Sequence, residues 1–434
     1  MNTISELYGA FRQSTGVSTD TRSIAQGNIF FALRGDNFDA NTMVGEALER
    51  GAAVVVTSNP DFAGHPRAFF VADTLRALQD LAAEHRAHLD IPIVAITGTN
   101  GKTTTKELST AILRKKFKTA ATVGNHNNHI GVPLTILSIA PDDEVAVVEM
   151  GANHPGEIAA LCAIARPTVG LVTNVGTAHL EGFGSFEAVM KTKAELFDFL
   201  GAHDGVILYN PDDENIVKMI GHRPVKTFAF NPCMVASRGG ETLDVVWYEI
   251  LQPESYLTNL KARHVRTRLC GDYNVGNVAA AVTVGQLFGV DHNGISEALE
   301  GYEPTNGRSQ VVETGRNRVI VDAYNANPSS MEAALDNLAQ IRAENKGVVL
   351  GGMRELGWAQ DASHRKILDK VKEMGLDPVV LIGEEFGKFK GDFPGFTFVE
   401  TTADAAPVVA AVSGRLLLLK GSNANKLTRL VDAL

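Results

Sequence analysis

At 434 residues the chain is long enough for about three domains of typical size, and a 44% hydrophobic content with mean hydropathy near zero supplies apolar side chains for real cores. No run approaches the roughly 18 apolar residues of a membrane span, and the N-terminus lacks a basic-then-apolar export signal, which points to a cytoplasmic protein with no membrane partner. A net charge of −10 argues against a broad nucleic-acid surface, and three widely spaced cysteines, Cys162, Cys233 and Cys270, suggest neither a disulfide framework nor a zinc site.

Residues 1–88 read as a small α/β unit. Short apolar strands are expected at 28–33, 53–56 and 68–71, separated by polar turns and helical segments. Thr21 and Arg22 precede the first of them. Spacing alone favours a turn with a surface arginine there, although arginine beside hydroxyls also suits phosphate. A helical stretch from Leu75 to Leu89, then Pro92, places a domain boundary before residue 89.

The second unit, 89–308, begins with the most informative stretch. The β-branched run Ile93 to Thr97 leads into Gly98-Thr99-Asn100-Gly101-Lys102-Thr103-Thr104-Thr105, and a helical pattern opens at Lys106. Strand, glycine-spaced turn and helix is the arrangement that cradles phosphates on backbone N–H groups. Lys102 would neutralise phosphate charge, and the Thr103 hydroxyl could reach Mg²⁺. This predicts an ATP site.

The amide-dense loop Asn125-His126-Asn127-Asn128-His129 fits hydrogen bonding better than metal binding. The strand Val145 to Glu149 then ends on a single carboxylate, placed either to hold Mg²⁺ or simply to face solvent. The next buried strand delivers His179 just past its end. In the following helix, turning 100° per residue from Phe186 puts Val189, Met190, Phe197, Leu200 and also Lys193 on one stripe. A lysine on an apolar face either snorkels or is chemically special, since burial favours the neutral, nucleophilic amine.

Residues 235–268 alternate loosely and suggest a β-rich appendage. A small-residue helix follows, with Asn274 and Asn277 on one face. Pro304 and the turn 306–308 mark the second boundary. The third unit, 309–434, alternates strands at 319–321, 348–350, 379–382 and 416–419 with helices near 330–343, 363–374 and 402–412, and a last helix after Gly421. That pattern predicts a parallel, doubly wound, Rossmann-like sheet. Asp322-Ala323-Tyr324-Asn325-Ala326-Asn327-Pro328 lies where such folds bind ligands.

Several of these stretches together resemble the Mur ligase family across nearly the whole chain, most closely its MurF type. The marks are Thr97 to Thr103, Asn125 to Pro133, Glu149 to Asn153, Thr173-Asn174-Val175, Ala178 to Ser185, Lys193-Ala194-Glu195, Asn274 with Asn277, Asp322 to Pro328, and Lys420-Gly421-Ser422. The Ala178-His179-Leu180-Glu181-Gly182-Phe183-Gly184 and Tyr324-Asn325-Ala326-Asn327-Pro328 stretches look like the MurF type in particular. The resemblance implies three α/β domains: a small substrate domain, a central P-loop domain with a parallel sheet, and a C-terminal Rossmann-like domain. It also implies a bacterial, monomeric ATP- and Mg²⁺-dependent amide ligase that joins D-alanyl-D-alanine to a UDP-N-acetylmuramoyl-tripeptide through an acyl phosphate, in peptidoglycan synthesis.

By the same resemblance Glu149 and His179 hold magnesium, Thr103 holds the nucleotide's metal, and Lys193 carries a carbamate. Gly98 to Thr104 with Asn274, Asn277, Arg308 and Asp322 contact ATP. Thr21, Arg22, Asn128, Tyr324 and Asn325 are the substrate contacts, and closure of the third domain is expected. Two stretches depart from the family pattern: Gly351-Gly352-Met353 in place of Gly-Asp-Met, and Phe38-Asp39-Ala40-Asn41 in place of an Asp-Gly-His-type segment. The alternatives are a family member adding a single amino acid, a folylpolyglutamate-type ligase, and a P-loop switch module without ligase activity.

Overall fold

In the computed structural model, residues 3–35, 37–177, 180–237, 239–250, 260–305 and 307–434 are described. Three units follow one another along the chain, each built on its own sheet. The first carries four parallel strands in sequential order, Val17–Ser18, Ile29–Phe31, Val54–Thr57 and Ala68–Phe70. Its helix Thr74–Ala87, capped by the Asp73 carboxylate on the Arg76 N–H, packs onto the second unit.

The second sheet has six parallel strands. Ile93–Thr97 lies in the middle, flanked by Val145–Glu149 on one side and Val169–Val172 on the other. Ile93, Val94, Ala95 and Ile96 are fully buried, as expected of a strand covered on both faces. The chain's next strands run to one side of Ile93–Thr97 and its later ones to the other. The crevice of this doubly wound sheet therefore opens at the carboxyl end of that strand. An antiparallel three-stranded appendage, Met234–Ser237, Asp244–Ile250 and Leu260–Arg266, matches the β-rich reading.

The third sheet differs from the all-parallel expectation. Its edge strand Gln310–Glu313 runs antiparallel to Arg318–Asp322, and a short strand Thr397–Val399 closes the other edge. Both strands are three or four residues long, too short for their periodicity to stand out in the sequence. The segment after Gly421 forms 3-10 turns, Asn423–Asn425 and Leu427–Ala433, in place of an α-helix. Leu416–Lys420 lies between Arg318–Asp322 and Lys346–Gly351, so the crevice of this sheet falls at Asp322 and Lys420. Among the described residues no helix is long and apolar enough to cross a membrane.

Candidate active site

The two crevices share one cavity of about 900 Å³, to which all three units contribute lining residues. At its centre is the glycine turn. The helix begins at Lys102, four residues before the apolar pattern suggested, because its first turn is built from Lys102, Thr103 and Thr104, which line the cavity, and Thr105, whose N–H closes onto the Gly101 carbonyl at 2.9 Å. Gly98 has φ 144° and Gly101 φ 80°. A Cβ at 98 would meet Thr173 Oγ1 at 1.9 Å, and one at 101 would meet Asn277 Oδ1 at 2.2 Å, so only glycine fits either position.

The strand Val169–Val172 runs into residues that brace this turn. The Asn100 N–H donates to Asn174 Oδ1 at 3.0 Å, while Asn174 Nδ2 and Thr173 Oγ1 donate to the Asn100 carbonyl at 3.1 and 2.6 Å. Lys102 Nζ donates to the Gly98 and Thr99 carbonyls at 2.8 and 3.1 Å. Burial lowers the pKa of Lys102, the Glu149 carboxylate opposes that shift, and the Arg308 cation adds to it.

Glu149, 1% exposed, ends the strand hydrogen-bonded beside Ile93–Thr97. Its two oxygens accept from Thr103 Oγ1 at 2.7 Å and Asn127 Nδ2 at 2.8 Å, and its N–H donates to Thr122 Oγ1 at 3.0 Å. It is therefore buried and oriented rather than facing bulk solvent. Among the described residues no group of three or more His, Cys, Asp or Glu side chains gathers for a metal. One carboxylate and one hydroxyl beside a phosphate cradle nevertheless fit Mg²⁺, which takes few protein oxygens and completes its shell with water and phosphate. His179 lies outside the described residues.

Lys193, on the helix Phe186–Ala202, is 4% exposed, lines the cavity, and has no hydrogen-bonding or ionic partner among the described residues. Burial, reinforced by the Lys102 charge, brings its pKa down to about 7. Glu195 points away from it and accepts from the Gly156 and Ala159 N–H groups at 2.8 and 2.9 Å. The snorkelling alternative would leave the ammonium in water, and the side chain's burial does not support it.

Asn274 and Asn277 are both buried, with Asn277 Nδ2 donating to Asn274 Oδ1 at 2.8 Å and Thr105 Oγ1 donating to Asn277 Oδ1 at 3.1 Å. From the third unit, Arg308 stacks 3.7 Å over the Tyr324 ring, and Lys420, 1% exposed, pairs with Asp322 at 2.6 Å. The Asn325 carbonyl also accepts from Lys420 at 3.3 Å. Asn128 lines the cavity, and its carboxamide oxygen accepts from the Ile130 and Gly131 N–H groups at 3.1 and 2.9 Å, just ahead of the helix Gly131–Leu137.

Thr21 and Arg22 are not among the lining residues. Thr21 is buried, whereas Arg22 is exposed and forks onto Asp20, which pulls that carboxyl down to about 2. The first unit instead presents Arg76, Gln79 and Asp80 from the helix Thr74–Ala87. Sequence reasoning also passed over Asn127 as the partner of Glu149, Lys420 as the partner of Asp322, and Ser329, whose Oγ accepts from Asn100 Nδ2 at 3.0 Å. Asn127 was accessible as part of an amide-rich loop; the Lys420 and Ser329 contacts depend on which strands and units adjoin.

Comparison with known proteins agrees with this arrangement. The model of the Mur ligase middle domain matches residues 96–285, and that of the Mur ligase glutamate ligase domain matches residues 307–423. The Escherichia coli UDP-N-acetylmuramoyl-tripeptide–D-alanyl-D-alanine ligase is 34% identical over 99% of this chain and 95% of its own length. The crystal structure of MurF from Acinetobacter baumannii superposes with a TM-score of 0.85 at 28% identity, over 99% of this chain and 97% of that one. MurF from Thermotoga maritima in complex with ADP superposes with a TM-score of 0.84 at 26% identity, over 98% of this chain and 97% of that one.

Proposed function

The chain belongs to the Mur ligase family of ATP-dependent ligases, in its MurF branch, and on that premise we propose that it joins D-alanyl-D-alanine to a UDP-N-acetylmuramoyl-tripeptide. The observation that carries this reading is the single cavity onto which the phosphate cradle of the second unit and the Asp322–Lys420 crevice of the third both open. A phosphoryl donor, a carboxylate and an amine can meet there within one chain, which supports a monomer as the working species. No pocket elsewhere is needed.

The terminal carboxylate of the tripeptide attacks the γ-phosphorus of ATP, the bond to the β-phosphate oxygen breaks, and ADP leaves. The amine of the dipeptide then attacks the acyl carbon, phosphate departs, and the amine nitrogen gives up a proton as the amide forms. The first step brings two anions together. The N–H groups of residues 101–104, the helix end and Lys102 offset that repulsion and stabilise charge on the transferred phosphoryl group. Mg²⁺, when bound, supplies Lewis-acid polarisation of the phosphate oxygens. Glu149 and Thr103 would hold it, with Asn127 fixing the carboxylate's direction and Thr122 the backbone of the same residue; His179 joins this set by family resemblance.

Lys193 is the place for a carbamate. Its buried amine beside Lys102, without a partner among the described residues, would exchange a costly cation for an anion on taking up CO₂, and that anion could orient the metal. Asn274, Asn277, Arg308 and Asp322 take the nucleotide, while Asn128, Tyr324 and Asn325 face the substrates. Thr21 and Arg22 remain candidates for the UDP end, and Arg76 and Gln79 join them as residues of the same unit that reach the cavity. The precursor is a soluble nucleotide-sugar, which puts the reaction in the bacterial cytoplasm.

Phosphate release from ATP tests the reading, with UDP-N-acetylmuramoyl-tripeptide as acceptor and D-alanyl-D-alanine, single D-amino acids or single L-amino acids as the amine. Release that requires both the nucleotide-sugar and the dipeptide is the expected result. Release driven by a single amino acid would transfer the chain to another branch of the family, and tight ATP binding without release under any condition would reduce it to a nucleotide switch.

A further inference from the structure

His364, on the helix Gln360–Glu373, is fully buried, and the mechanism above gives it no task. Both of its ring nitrogens are engaged. Nε2 accepts from the Met353 N–H at 3.0 Å, and Nδ1 donates to the Gln360 carbonyl, one helical turn back, at 2.8 Å. Only the neutral ring with its proton on Nδ1 makes both bonds. Burial lowers the pKa of His364, against the Gln360 hydrogen bond and the Glu385 and Asp361 carboxylates, which keeps the ring in that form. The Phe386 ring stands nearly perpendicular to it, 4.8 Å away between centroids, and fixes its plane.

The two bonds tie the ends of the loop 353–359, between the strand Lys346–Gly351 and this helix. The loop has an uncommon shape. Glu355 has φ 61° and Gly357 φ 52°, while Met353 and Leu356 are buried in the core of the third unit. A non-glycine residue stays in the left-handed region only where its surroundings hold it there. The far end of the loop then leaves the third unit. A Cβ on Gly357 would meet Glu181 Cα at 3.7 Å, so the 3-10 turn Gly357–Ala359 lies against the helix Leu180–Phe183 of the second unit. That helix follows His179 directly in the chain and ends on Phe183, which lines the cavity. With the Asn100–Ser329 hydrogen bond, this makes a second place where the third unit touches residues of the site.

We propose that His364 is a positioning residue for the reaction: it holds the loop 353–359 in the shape that seats on the helix Leu180–Phe183, and so steadies the wall of the cavity that ends on Phe183. The turnover part of its test rests on the ligase reading given above. Hydrogen exchange does not, so a failure of the proposal and a failure of that reading are told apart. Exchange of the full chain would be followed by mass spectrometry, beside calorimetric ADP binding and turnover with the three substrates.

His364→Phe keeps a ring and removes both hydrogen bonds. Exchange should quicken in residues 353–359 and also in 180–183, and turnover should fall by about tenfold, because the reacting partners lose alignment. ADP affinity should stay within about twofold, since no N–H of the phosphate cradle is altered. His364→Gln offers a carboxamide oxygen to the Met353 N–H and should keep turnover within about threefold of the unmodified chain. Gly357→Val disturbs the other end of the loop, placing a branched Cβ at φ 52° against Glu181, and should reproduce the phenylalanine variant's pattern even if that variant does not fold. Quicker exchange confined to 353–359 with normal turnover would overturn the proposal, for the ring would then only pack the third unit. So would a glutamine variant as impaired as the phenylalanine one, equal losses of ADP affinity and turnover, or normal turnover in Gly357→Val.

Discussion

A lysine ammonium buried on an apolar helix face without a counter-ion costs stability unless it sheds its proton or changes chemically. Among the described residues Lys193 is in that position, with burial and Lys102 together bringing its pKa from 10.5 to about 7. Between those values the unfolded chain binds more protons than the native one, so the penalty is complete below pH 7 and fades as pH rises towards 10. In CO₂-free buffer, urea midpoints of the unmodified chain should therefore rise from pH 6 to pH 9 relative to Lys193→Ala. With substrates, Lys193→Ala should lose about 10–100-fold in turnover, the usual effect of removing a group that orients a metal, and short carboxylic acids should partly restore it. A pH-independent stability difference together with unimpaired turnover would show that the side chain is only packing. The lysine was legible in sequence because a charge on a 3.6-residue stripe is conspicuous. Its lack of a partner was not, since that depends on what the neighbouring helices present.

At the scale of elements, the helix Thr74–Ala87 fastens the first unit to the second through Arg86, 7% exposed. Its Nε donates to the Ala165 carbonyl at 2.8 Å, its Nη1 to Leu89 at 2.5 Å, and its Nη2 to Ile91 and Arg166 at 3.2 and 3.1 Å. One planar guanidinium thus satisfies four carbonyls at the end of the helix Glu157–Ala165 and along the segment leading to the strand Ile93–Thr97. Arg86→Met, similar in bulk, would leave those carbonyls to find water in a buried seam. A loss of about 3 kcal/mol is expected, with hydrogen exchange rising first in residues 87–92. A change under about 0.5 kcal/mol would mean that packing between the helices holds the junction without the arginine.

Most elements were visible as apolar runs of the right period, because a parallel strand buried on both faces needs an unbroken run. Arg86 carried no such signal, for two of its four partners, Ala165 and Arg166, lie about 80 positions away along the chain. The start of the phosphate helix was misplaced for a related reason. Its first turn is spent on Lys102 and threonines that face the ligand, so the apolar periodicity begins only after them. At Gly352 a Cβ would meet Glu385 Oε2 at 2.4 Å, so a carboxylate from the short helix Glu384–Gly387 after the next strand fills the space where the family's aspartate would project.

The whole molecule is arranged so that the third unit touches the phosphate cradle directly. Asn100, inside the glycine turn, donates to Ser329 Oγ at 3.0 Å and accepts from Asn327 Nδ2 at 2.8 Å. Ser329 in turn donates to Asn327 Oδ1 at 2.9 Å. Asn327 also caps the helix Pro328–Gln340 through a capping box with Ser330, so the contact is made at a rigid helix start rather than by a loose loop. Phosphates resting on residues 98–104 therefore lie against the turn that contacts the third unit, and the P-loop and the Asp322–Lys420 pair face one cavity with this bridge made.

Ser329→Ala removes one hydroxyl from the bridge and leaves the Asn327 cap in place, which separates docking from folding. ADP affinity should stay within about twofold, because no cradle N–H is altered. Turnover should fall by about tenfold, because a displaced third unit misaligns the two reacting partners. Single-turnover phosphate release alongside calorimetric ADP binding distinguishes the two effects. Equal losses in affinity and turnover would place Ser329 in nucleotide binding itself, and no loss in either would mean that other contacts between the units, such as the Glu241–Arg318 ion pair, suffice to hold the third unit in place.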